Sequence, residues 1–268
     1  MPYLTHCCPL CASTDLEMKH AAHIVAFVEH RMTGRLEPDI NKHLAEPAAG
    51  LICQSCQLQF SDRRYTPQEE RRYYHGYAEL PYIRHRQAYE PTHAAWLEHH
   101  FLREQKQRNP IRQQELRGFF IRHLGTNGLT YPRVLDFGGQ AASVVNVFTE
   151  DSLIMATDVN DLALAAGAKP WDGRPVDLVV CQQVLEHVSN VRTVVEILLK
   201  AARPGGWIYL EVPDEQPYWG QPMIHEHING WSLPPLNYIA KEWALTLVAS
   251  ELYAGNYCLL AKTAEKSS

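Results

Sequence analysis

The chain has no apolar run of the roughly 18 residues that a membrane-spanning helix needs. Its first residues, Met1 to Cys8, lack the charged-then-apolar layout of a secretory leader. Both absences point to a cytoplasmic protein. A strong charge of one sign is also missing. The net charge is −5 over 268 residues, which argues against a general nucleic-acid binder. An apolar content of 46% is enough for one α/β domain of ordinary size with a small module added.

Charge is not spread evenly. From Asp62 to Arg122 there are twelve Lys and Arg against eight Asp and Glu. A solvated helical face explains that excess without invoking function. The sharper reading is a site for an anionic group, such as the diphosphate of a nucleotide-linked sugar.

Seven cysteines in a cytoplasmic chain are not expected to form a disulfide framework. Four of them have the spacing of metal knuckles: Cys8 with Cys11, and Cys53 with Cys56. Two such knuckles close a four-thiolate site that suits tetrahedral zinc. Four thiolates leave no open position for substrate, so the ion would be structural. Cys7 is an alternative to Cys8. Residues 1–61 are therefore expected to form a zinc-binding module, with a strand at Ile24 to Val28.

Residues 62–130 read as helical, a lid or linker. Thr66 and Glu69 form a capping box with Pro67 at the first helical position, which predicts a helix through Tyr77. A second helix is expected from Pro91 to Arg108 and a third from Pro110 to Leu124, ended by Gly125. Between the first two, Tyr73, Tyr74, Tyr77, Tyr82 and Tyr89 alternate with arginines. Such a stretch either packs the helices together or closes over a site that must exclude water.

Residues 131–268 alternate strands and helices, the pattern of a doubly wound, mostly parallel sheet. Strands are expected at Arg133 to Phe137, Ser152 to Thr157, Asp177 to Cys181 and Trp207 to Val212. Helices are expected at Ala141 to Phe148 and Val191 to Ala202. The tail, Trp243 to Glu251 and Asn256 to Lys262, would close the sheet as an antiparallel pair. Only 17 residues, Val159 to Pro175, link Asp158 to the next strand. A further strand is hard to fit there, with Trp171 and Asp172 its only candidate remnant.

Three segments carry the chemistry: Arg133 to Gln140 with its paired glycines, Val176 to Val188 with Leu185-Glu186-His187, and Pro204 to Pro213 with its Pro-Gly-Gly turn. Together they resemble a class I S-adenosylmethionine-dependent methyltransferase with a Rossmann-like fold. Gly138 and Gly139 let the backbone approach a ligand closely. Asp158 follows Asp136 by 22 residues, near the spacing at which an acid reads a ribose in a βαβ unit. The resemblance implies that Asp136 shapes the first loop and Asp158 binds the ribose. It also implies that Cys181 and Gln182 face the amino-acid end of the cofactor. The family's Gly-x-Gly-x-Gly pattern is incomplete, with Gln140 and Ala142 at two of the three glycine positions.

Past the last parallel strand, His225, Glu226 and His227 could supply a base and an orienting acid for the acceptor's proton. A His-x-His pair could also hold a metal, but no further ligand stands nearby in the sequence. With the knuckles in front, this segment resembles zinc-ribbon methyltransferases of bacterial sugar and secondary-metabolite pathways, including nucleotide-sugar C-methyltransferases. There the segment reads Tyr-His-Glu-His; here Ile224 takes the tyrosine's place. That resemblance implies His225 as general base and a small-molecule acceptor. An RNA or protein methyltransferase, or a non-catalytic partner with a worn cofactor site, are the alternatives.

Overall fold

In a computed structural model, residues 3–25, 44–77, 79–88, 90–99, 105–139, 143–158, 164–214 and 227–265 are described. The centre is a seven-stranded mixed sheet. Its parallel part is β6 (Arg133–Phe137), β7 (Leu153–Thr157), β8 (Lys169–Pro170), β9 (Val176–Gln182) and β10 (Ala202–Pro213). The hairpin of β12 (Thr246–Tyr253) and β13 (Asn256–Lys262) closes one side. The spatial order is β12-β13-β10-β9-β6-β7-β8, with β13 antiparallel to both neighbours. This is the expected α/β, doubly wound, Rossmann-like sheet with its closing antiparallel pair.

Side chains alternate between two cores, as strand geometry requires. Leu135, Met155, Val179, Leu210 and Leu259 point to one face. Val134, Ile154, Val180, Tyr209 and Leu260 point to the other. The first face is covered by α5 (Val191–Ala201) and α6 (Leu233–Glu242). The second receives α4 (Gln105–Leu124) through Leu116, Phe119 and Phe120, all buried. Each such side chain contributes about 2 kcal/mol as an upper estimate.

Several expectations change. A strand does fit between Asp158 and β9, but only two residues of it: β8 pairs Met155 with Lys169 and Ala156 with Pro170. Trp171 lies just past it and donates its N–H to Ala156. The expected helix at Ala141 to Phe148 is absent from residues 143–148, which form turns. Asn146 there has φ 68°, which breaks a right-handed helix. The third helix does not begin at Pro110. α4 runs from Gln105 through that proline, which near the helix start removes a single backbone donor.

The capping box forms as read: Thr66 Oγ1 accepts from the Glu69 N–H, and Glu69 Oε2 accepts from the Thr66 N–H at 2.8 Å. Its helix, α1 (Pro67–Tyr74), stops short of Tyr77 because Gly76 takes φ 67°. An unexpected helix, α2 (Leu80–Gln87), follows, then α3 (Pro91–Leu97). Tyr73 and Tyr82 are core residues. Between them sits fully buried Arg86, paired to Glu90 at 2.8 Å. Tyr74 and Tyr77 are half-buried, and Tyr89 lies outside the described residues.

The N-terminal part is a second sheet. β2 (Leu16–Val25) and β3 (Leu44–Cys53) form a hairpin, with β4 (Gln59–Ser61) beside β3. The expected strand at Ile24 to Val28 is the end of β2, and its last three residues lie outside the described ones. β1 (Tyr3–Leu4) pairs separately with β5 (Arg63–Arg64). The fourth strand of the second sheet comes from the far end of the chain: β11 (Asn229–Gly230) pairs antiparallel with β4. Leu10, Leu58 and Phe60 share a core with Trp231, Leu236 and Ile239. No helix among the described residues is long and apolar enough to cross a membrane.

Candidate active site

In an open α/β sheet, ligands bind beyond the carboxyl ends of the strands, where the strand order reverses. Here that point lies between β6 and β9, which are parallel neighbours with β7 and β10 outside them. Gly138 leaves β6 with φ 79°, and its N–H donates to Thr157 at 2.7 Å. A Cβ there would lie 2.4 Å from Val184 Cγ2. At Gly139 a Cβ would lie 2.6 Å from Asp136 Oδ2. Asp136 is buried directly under the turn. Both glycines are therefore required by the packing of the loop itself. Asp158 stands half-buried at the end of β7. Gln140 and Ala142 lie outside the described residues.

Cys181 and Gln182 part company. Gln182 is half-buried at the strand end, where its Oε1 accepts from Ser143 Oγ at 2.9 Å and its Nε2 donates to Glu211 Oε2 at 3.0 Å. Cys181 is 1% exposed in the core on the α5 face, and burial pushes its thiol pKa well up. Successive strand residues point to opposite faces, so Cys181 and Gln182 leave the end of β9 on different sides of the sheet.

Sequence reasoning missed Glu211. It sits near the end of β10 with Cys258 and Gln182 as its register partners. Its carboxylate receives Arg112 from α4 in a short ion pair, Tyr209 Oη at 2.8 Å, and the two glutamines, Gln182 at 3.0 Å and Gln183 at 3.3 Å. Gln183 also donates to Asn256 Oδ1 at 3.1 Å. Burial alone would lower the Arg112 pKa, but the facing Glu211 outweighs it and raises it. Burial, reinforced by Glu211, pushes Tyr209 well up, so its hydroxyl stays a donor. The signal was available: Glu211 is a carboxylate inside the apolar and aromatic run Trp207 to Val212.

His225 and Glu226 lie outside the described residues. His227 is half-buried, with its ring 4.6 Å from that of His187 at an interplanar angle of 76°. His187 belongs to the turn after β9, and its ring also meets Tyr74 of α1 at 5.6 Å. Glu186 is fully buried beside it, with its Oε1 3.7 Å from His187 Nε2. Backbone bonds fix the two segments: the N–H groups of Ile228 and Asn229 both donate to the Glu186 carbonyl, at 2.9 and 3.0 Å. Asn229 Nδ2 donates to the carbonyls of Leu185 and Val188, both at 2.8 Å. Nothing local to either residue hints that His187 and His227, forty residues apart, meet.

The four knuckle cysteines converge. Cys8 Sγ lies 3.5 Å from Cys56 Sγ, and Cys11 Sγ 3.4 Å from Cys53 Sγ, with all four sulfurs within 4.8 Å of one another. A tetrahedral zinc with sulfurs at about 2.3 Å would hold them about 3.8 Å apart, so the cluster fits the ion. Hydrogen bonding from Cys56 brings the Cys8 thiol down to about 6, while burial raises Cys11 to about 12. Four thiols this close cannot all ionise without a cation between them. Cys8, not Cys7, belongs to the cluster; Cys7 contacts Thr5 instead.

The model of a methyltransferase domain family matches residues 82–250, more than half of the chain. No curated protein sequence matches it. Similar solved structures include an O-methyltransferase family protein of Burkholderia thailandensis, 13% identical, with a TM-score of 0.46 over 63% of this chain and 62% of that one. This chain thus spans less than two thirds of that protein's length. The 1,6-didemethyltoxoflavin N1-methyltransferase of the same organism is 16% identical, with a TM-score of 0.45 over 65% of this chain and 89% of that one. An N-methyltransferase of Bradyrhizobium japonicum is 20% identical, with a TM-score of 0.42 over 57% of this chain and 97% of that one. On the family match, spanning most of the sheet just described, the chain belongs to the methyltransferase domain family.

Proposed function

We propose that the protein transfers a methyl group from S-adenosylmethionine to a small-molecule acceptor, a sugar or secondary-metabolite intermediate that can be nucleotide-linked. The cofactor lies in the crevice beyond β6 and β9. Asp158 takes the ribose hydroxyls, the Asp136-Gly138-Gly139 turn borders the methionine part, and Gln182 stands at its amino-acid end. His225 accepts the acceptor's proton, with Glu226 and His227 orienting it. Cys8, Cys11, Cys53 and Cys56 hold a structural zinc ion. Residues 1–61 act as the zinc-binding module, 62–130 as a helical cover, and 131–268 as the methyltransferase domain.

One observation carries this reading. His227 comes to the carboxyl edge of β9, against His187, on the edge that also carries the glycine turn and Asp158. Methyl transfer needs donor, nucleophile and base on one side of the sheet. Tyr74 over His187 supports a covering role for α1. The test is calorimetry with S-adenosylmethionine, followed by turnover on a panel of sugar nucleotides. His225→Ala should keep cofactor binding and lose turnover. Absence of binding, or unchanged turnover in the variant, overturns the reading.

A further inference from the structure

We propose that Glu186, His187 and His227 form a binding site for a divalent first-row transition-metal ion, distinct from the four-cysteine cluster. Their donor atoms all lie within 4.8 Å of one another, and the Glu186 Oε1 to His187 Nε2 separation is 3.7 Å. Ligands at about 2.0–2.2 Å from one ion sit roughly 3–3.6 Å apart. Small side-chain rotations therefore close the set.

The chemistry of the donors suits such an ion. Two imidazoles with one carboxylate is a set used for zinc and for non-haem iron, and it leaves positions open. The ligands rest on a fixed frame. Glu186 and His187 are neighbours in a tight turn closed by the His187 N–H to Val184 bond at 3.0 Å. The segment bearing His227 is tied to that turn by the Ile228 and Asn229 backbone bonds and by the Asn229 side chain. Glu186 is fully buried, and a carboxylate so placed is favoured by a cation that it can coordinate.

What the ion would do rests on the methyl-transfer reading. It stands at the carboxyl edge, where an open coordination position can take a hydroxyl or carbonyl oxygen of the acceptor. The binding itself does not depend on that reading.

The probe is Mn2+ titrated into protein loaded with one equivalent of zinc per chain, which the four thiolates take first, followed by electron paramagnetic resonance, with Co2+ absorption as a second readout. Wild type should bind one further ion. Its cobalt spectrum should add d–d bands without added thiolate-to-metal charge transfer. His227→Ala and the milder His227→Gln should each weaken Mn2+ binding at least ~10-fold, the lower bound seen for outer-shell losses. A wild type that binds no Mn2+ overturns the proposal, whatever the variants do. Equal binding by wild type and both variants overturns it as well. Calorimetry with S-adenosylmethionine on the same samples separates the two readings. Cofactor binding without Mn2+ binding removes only the metal site. Mn2+ binding without cofactor binding removes only the methyl-transfer reading.

Discussion

Arg112, on a helix ahead of the sheet, ion-pairs with Glu211, the carboxylate at the end of the central strand β10. The pair pins α4 over the strand ends that carry Gln182 and Gln183. Glu211 is 5% exposed, so removing its partner leaves a charge buried. Arg112→Met should cost on the order of 3 kcal/mol in urea unfolding. The double variant Arg112→Met/Glu211→Gln should recover part of that loss. A single variant as stable as wild type would mean that the carboxylate is satisfied by Tyr209 and the glutamines alone.

Gly139 has no room for a side chain above Asp136. Gly139→Ala should push the turn away from the acid and weaken S-adenosylmethionine binding about tenfold or more by calorimetry, a cost of ~1.4 kcal/mol. Gly138→Ala adds a positive-φ penalty of roughly 1–2 kcal/mol to its clash with Val184. It should therefore lower the melting temperature as well.

Asp158→Ala should raise the cofactor's dissociation constant by about tenfold to a hundredfold, the range for hydrogen bonds to a charged group. The fold should hold, since the residue stands at a strand end rather than in either core. An unchanged constant would show that the ribose is read elsewhere.

Glu70 gives a pH-dependent prediction. It is partly buried and accepts the Ser189 N–H at 2.6 Å. Burial raises its pKa above the ordinary 4.5. The folded state then binds more protons than the unfolded state between 4.5 and that raised value. Its contribution to stability is present at the acid side and falls as pH rises through this window. Glu70→Gln should flatten that slope in denaturation midpoints measured across mildly acidic pH. A slope identical to wild type would assign it to other groups.

Strong chelation, or Cys53→Ser, should release metal and lower the melting temperature, because the ion's binding energy is folding energy. Metal content by mass spectrometry, read with the thermal midpoint, checks both at once.

The alternating strands and the glycine turn were legible because each is local: a period of two, a positive φ, an acid twenty-two residues on. The knuckles were legible because two short spacings repeat. Three features were not. The Arg112–Glu211 pair joins residues 99 apart, and nothing near either names the other. His187 meets His227 only because Asn229 bonds back across the turn after β9. β8, at two residues, is too short to show a period. The expected helix after the glycine turn shows the opposite error: over residues 143–148 the chain forms turns, where Asn146 takes a φ that a right-handed helix does not allow.

The pairing of β4 with β11 bears on how this chain could be inherited or engineered. Gln59 stands three residues past Cys56 and pairs in register with Gly230, three residues past His227. Ser61 also donates to Ile228 at 2.9 Å. The cysteine hairpin is therefore no cassette that can be cut at a linker and transplanted. Its removal would strip a strand from the segment that carries His227 and uncover Trp231. Chimeras made by exchanging the first sixty or so residues should need residues 227–231 exchanged with them, so that both halves of the shared sheet come from the same parent.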